Sequence, residues 1–74
     1  MSELLISDIQ VAAFLVARGH EVLDIRPEGS HGVFIFPGNL NNEADEFFQD
    51  GLVSARKFAN AIRELKSRVR FAVR

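Results

Sequence analysis

The run Gly32-Val33-Phe34-Ile35-Phe36-Pro37-Gly38 sets the architecture of this 74-residue chain. Its β-branched and aromatic side chains, closed by Pro37-Gly38, form the pattern of a strand. Val33 and Ile35 point one way and Phe34 and Phe36 the other, so both faces of that strand are apolar. One face belongs under helices, and the other needs a further cover or a partner. Upstream, Glu21 to Arg26 alternates from Leu23 onward, and Pro27-Glu28-Gly29-Ser30-His31 is a turn cluster of hairpin length. The two strands read as an antiparallel hairpin. Leu23 and Ile25 share one face of the first strand, and Val22, Asp24 and Arg26 share the other.

Helices flank the hairpin. Ser7 followed by Gln10 has the form of a capping box, with Ile6 and Val11 as its hydrophobic staple. Gly19, just after Arg18, is placed to end the helix in a left-handed conformation. A helix over 8–18 follows. Ile9, Ala12, Ala13 and Val16 form one of its faces and Val11, Phe14 and Leu15 another, so it is buried on more than one side or helps form a subunit interface.

Beyond the hairpin, Asn39-Leu40-Asn41-Asn42 reads as a loop. Glu43 to Asp50 reads as a short acidic helix ending at Gly51, anchored by Phe47 and Phe48. The last helix opens at Ser54, with Val53 and Phe58 as a second staple, and Ala55, Phe58, Ile62, Leu65 and Val69 make its core face. From Ser67 to Arg74 the spacing fits a strand as well as a helix end. With no Gly or Pro between, continued helix to about Arg70 is preferred. The expected fold is a single small α+β domain over 1–74: helix, antiparallel β-hairpin, short helix and long C-terminal helix, with an extra C-terminal strand as the alternative. Leu23, Ile25 and one face of the second strand should pack on Ile9, Val16, Phe58, Ile62 and Leu65.

Composition removes several function classes. With no Cys there is no disulfide, thiolate metal site, Cys nucleophile or iron–sulfur cluster. A domain this short must then stabilise itself by packing or by oligomerising. The longest apolar run, which contains Val11 to Val16, is far below the ~20 residues needed to span a bilayer. The first residues lack a basic segment and meet Asp8 early, so a cytoplasmic location without a signal peptide is expected. His20 and His31 lie at opposite ends of one strand, too far apart to share a metal, and both read as exposed turn residues. No pair of carboxylates is spaced for acid–base work, and adjacent Ser30 and His31 cannot form a relay. No phosphate-binding loop is present. Neither an enzyme nor a cofactor is expected, and no small-molecule substrate is inferred.

Charge is the most informative feature. The net charge is -1, yet residues 1–55 carry only Arg18 and Arg26 against nine acids, while 56–74 carry seven basic residues against Glu64 alone. On a helix, Arg56, Asn60, Arg63, Ser67, Arg70 and Arg74 fall on one stripe about 80° wide, opposite the core face. Arginines interleaved with short polar side chains suit contact with phosphates. The same stripe also fits a solvated face, or one paired with the acidic segment Glu43, Asp45, Glu46 and Asp50. The candidate polyanion-binding residues are Arg56, Asn60, Arg63, Lys66 and Arg70. Phe34 and Phe36 are read as core rather than as base-stacking rings.

The stretches Ala13-Phe14-Leu15-Val16-Ala17-Arg18-Gly19-His20, Val33-Phe34-Ile35-Phe36 and Lys57-Phe58-Ala59-Asn60-Ala61-Ile62-Arg63-Glu64-Leu65-Lys66-Ser67 resemble a family of short bacterial and phage proteins of unknown function. The resemblance implies a compact helix–hairpin–helix unit from a mobile element or prophage. It carries over no catalytic or binding residue. The expected role is a non-catalytic protein-interaction module, homodimeric or bound to an acidic protein. The alternative is an accessory nucleic-acid-binding protein that contacts phosphates through the basic helix.

Overall fold

The computed structural model describes residues 2–29 and 31–72. In chain order it contains β1 (Glu3–Ile6), α1 (Ile9–Ala17), β2 (Asp24–Glu28), β3 (His31–Pro37), α2 (Asn41–Glu46) and α3 (Ala55–Ala72), with 3-10 turns at Gly38–Leu40 and Phe47–Gln49 around α2. This is the expected α+β class. The three strands form an antiparallel sheet in the order β1-β3-β2. The strand with two apolar faces is therefore the central one. Extents of 33 × 31 × 18 Å fit a sheet with a single layer of helices.

β1 is absent from the sequence-based expectation. Its four residues, Glu-Leu-Leu-Ile, are too few and too uniform to carry a period, and the open edge of β3 recruits them. Leu4 pairs with Phe36 and Ile6 with Phe34, so Leu4, Ile6, Ile25, Phe34 and Phe36 share the inner face. There they meet Val11, Phe14, Leu15 and Leu65 in one apolar cluster. Phe34 and Phe36 are core residues, 2% and 0% exposed.

The hairpin is tighter than expected. β2 extends through Pro27 and Glu28, which pair with Gly32 and His31, so only Gly29 and Ser30 lie between the strands. Gly29 has φ 63°, which glycine adopts without cost. Ser30 lies outside the described residues. Pro27 is tolerated because β2 is an edge strand. Strand geometry begins only at Asp24, so the alternation expected from Leu23 fails there. Leu23 is 58% exposed, and Val22 takes its place in the core.

The outer sheet face is covered from within. Ile35 lies on that face, level with Leu5 and Asp24, yet is only 1% exposed. Arg26, level with Val33 on one edge, meets Glu3, level with Pro37 on the other, at 3.5 Å. The ion pair therefore crosses the central strand above Ile35. Such an exposed pair contributes little by charge, about 0–1 kcal/mol, but the Arg26 stem shields apolar surface.

The helices start and stop for local reasons. The cap of α1 is Asp8 and not Ser7: Asp8 Oδ1 accepts from the Gln10 N–H at 2.8 Å. A full carboxylate suits the positive helix end better than a hydroxyl. At the other end Gly19 (φ 100°) donates to Val16 O and His20 N donates to Leu15 O, the paired bonds of a glycine-stopped helix. α1 is buried on several sides, with Val11 to Leu15 all enclosed by the sheet, α2 and α3.

Helical backbone in the acidic segment begins before Glu43, because Gly38–Leu40 and Asn41–Glu46 are already helical where a loop was expected. Leu40 and Ala44 are its buried anchors together with half-buried Phe47, whereas Phe48 is 71% exposed. Asp50, not Gly51, takes the left-handed conformation (φ 59°) that ends the segment. Gly51 is needed for space instead: a Cβ there would lie 2.7 Å from Glu46 O and 2.8 Å from Phe14 Cζ.

Ser54 starts α3 as expected, its Oγ accepting from Lys57 N at 3.3 Å. The helix runs to Ala72, so the strand alternative fails over 67–72; Val73 and Arg74 lie outside the described residues. Its buried residues are Ala61 and Leu65, flanked by half-buried Phe58, Ile62 and Val69, while Ala55 is exposed. Gly32 lets α3 approach the sheet, since a Cβ there would sit 3.0 Å from Val69 Cγ2. Among the described residues no helix is long and apolar enough to cross a membrane.

Candidate polyanion-binding face

α3 carries the candidate residues on one rigid element. With Leu65 and Ala61 seated on α1 and the sheet, the opposite side of the helix must face solvent. Arg56, Asn60, Arg63, Lys66 and Arg70 are all exposed. Arg56 and Arg70 are separated by about 21 Å along the axis, at 1.5 Å per residue. Arg63 Nη1 donates to Asn60 Oδ1 at 3.4 Å, a long contact within the stripe itself.

The protein's own acids do not neutralise this face. Among the described residues, Arg56, Lys57, Arg63, Lys66, Arg68 and Arg70 form no ion pair. Two carboxylates of the acidic segment are committed elsewhere. Arg18 Nη1 lies 2.7 Å from Glu46 Oε1 and 3.5 Å from Glu43 Oε2, and its Nε and Nη2 donate to Leu52 O at 3.1 and 2.8 Å. The guanidinium also lies 4.4 Å from the Phe14 ring centroid. The hydrogen bond to Glu46 holds Arg18 protonated above its ordinary range.

His20 is correspondingly not a free turn residue: half-buried, its Nε2 sits 2.8 Å from Glu43 Oε1. His31 is exposed at the start of β3. Among the described residues no group of three or more His, Cys, Asp or Glu could hold a metal ion.

Lys66 leaves the line of the stripe and turns toward the sheet. There Lys66, Val69 and Arg70 meet Ser7, Ile9, His31, Gly32 and Phe34 around an open groove of about 410 Å³. Sequence reasoning selected Lys66 and Arg70 but missed Ser7 and His31. No local signal could have joined them, because the groove is made by three elements brought together only by folding. A larger recess of about 760 Å³ lies between Glu3, Leu23, Pro37 and Gly38.

The chain matches no protein-family model, no curated protein and no solved structure.

Proposed function

We propose that this chain is a non-catalytic binding module whose working surface is the outer face of α3, and that its ligand is the phosphate backbone of a nucleic acid. The observation that carries this reading is the segregation of charge. Six exposed cations on one helix lack ion-pair partners among the described residues, while Glu43 and Glu46 of the acidic segment are held by Arg18 and His20. Phosphate contacts of this kind fix position and carry little base specificity.

The test is fluorescence anisotropy of labelled single-stranded DNA, duplex DNA and RNA at several salt concentrations. Contact with three or four phosphates gives log K against log salt a slope of about -2 to -4. Arg56→Glu/Arg63→Glu/Arg70→Glu, checked for folding by circular dichroism, should abolish binding. Absence of binding by the wild type at low salt overturns the reading.

A second reading, a self-associating protein-interaction module, has its own observation. Leu5, level with Ile35, and Leu23, whose N–H donates to Ile35 O, are 54% and 58% exposed on the two edge segments beside the central strand. A homodimer burying these two leucines should give twice the monomer mass in sedimentation at micromolar concentration, and Leu5→Glu/Leu23→Glu should return it to monomer. A monomer mass for the wild type refutes it. If α3 instead captured an acidic protein, the charge reversal would abolish that capture with nucleic-acid binding absent throughout.

A further inference from the structure

We infer that the groove between α3, the start of β3 and the β1–α1 junction receives one unstacked base of a single-stranded nucleic acid. The inference rests on the phosphate reading above and narrows its ligand from nucleic acids in general to single strands.

Three features of the groove support it. Its floor is apolar, formed by half-buried Ile9 and Val69 over Phe34, with Gly32 adding no side chain. Its rim is cationic, from Lys66 and Arg70, and among the described residues no carboxylate lines it. Both rim residues belong to α3, so the groove is continuous with the exposed cations of the same helix. A strand whose phosphates follow α3 thus passes the mouth of an apolar recess of about 410 Å³, within the range of small-ligand pockets.

Ser7 and His31 add hydrogen-bonding groups at that mouth, suited to a base edge or a sugar hydroxyl. A duplex can use only the cations, because its bases remain stacked and paired inside the helix. A single strand can use both parts, since bases that are already unpaired enter apolar or aromatic recesses at little cost. Mixed backbone and base contact of this type tolerates sequence, in keeping with a floor that offers apolar surface and few directional groups.

The experiment compares a labelled oligothymidylate with a duplex of equal length at low salt, using wild type and Ile9→Gln. The substitution leaves the charge unchanged but makes the floor polar. Wild type should bind the single strand about tenfold more tightly than the duplex, from the apolar area of one base removed from water. Ile9→Gln should remove that preference and leave duplex affinity unchanged. Amide chemical shifts of the wild type provide a readout that needs no variant: oligothymidylate should move Gly32, Phe34 and Val69 as well as Arg56 and Arg63.

Equal affinity for both ligands, with shifts confined to the outer face of α3, overturns the groove and leaves the phosphate reading standing. A single-strand preference that survives Ile9→Gln without shifts at Gly32 and Val69 also overturns it. Absence of binding to either ligand overturns both.

Discussion

Phe14→Ala should remove a large share of this domain's stability at 25 °C. A domain of this length has a total stability of about 4–11 kcal/mol. Removing a fully buried phenyl ring costs about 3–5 kcal/mol, the lost transfer energy plus that of the cavity left behind. Phe14 is 1% exposed and is the hub on which the turn after α2 docks. Its ring meets Phe47 edge-on at 5.8 Å between centroids, underlies the Arg18 guanidinium and lies against Gly51. Losing it therefore loosens α1, α2 and the 3-10 turn together. Phe14→Leu keeps most of the volume and should lose far less. Urea unfolding followed by circular dichroism measures both, and a Phe14→Ala midpoint close to wild type would refute the assignment of Phe14 as hub.

Gly51→Ala should destabilise by about 1–3 kcal/mol, through overpacking rather than a cavity. The added Cβ would meet a backbone carbonyl, Glu46 O, and the buried ring edge of Phe14. Neither is a flexible side-chain tip that can step aside, and the bond from Gly51 N to Glu46 O at 2.7 Å holds the segment in place. Because Gly51 touches Phe14, the two sites are coupled. Shortening the ring with Phe14→Leu should relieve part of the clash, so the double variant should lose less than the two single losses combined, by about 0.5 kcal/mol or more. Strict additivity in the same urea titrations would show that the carbonyl contact alone sets the cost.

Much of the candidate face was legible in the sequence. Arg56, Asn60, Arg63 and Arg70 share a stripe because a helix has a fixed period, and the Ser54 cap and the apolar residues Phe58, Ile62, Leu65 and Val69 set the phase of that helix. Charge arithmetic showed that the cations crowd one end of the chain, but not whether its acids would neutralise them. Glu43 and Glu46 lie in the acidic segment that follows the hairpin, and their partners Arg18 and His20 lie at the end of α1. Only the packing of α2 on α1 settles that pairing. The groove was equally illegible, because Ser7, His31 and Lys66 have no relation along the chain.

By itself the sequence determined the features that short-range physics controls: the α+β class, the stop of α1 at Gly19, the start of α3 at Ser54, the hairpin and the inward Phe34 and Phe36. Helical period, capping and turn preference act within a few residues, so a single chain displays them directly. Tertiary structure alone decided that Glu3–Ile6 becomes a strand, that Val22 and not Leu23 enters the core, and that an Arg26–Glu3 pair covers Ile35. Each depends on which surface a distant segment presents once packed. An unpaired edge of β3 recruits whatever apolar segment can reach it, and the face of a residue is fixed only where strand pairing actually begins.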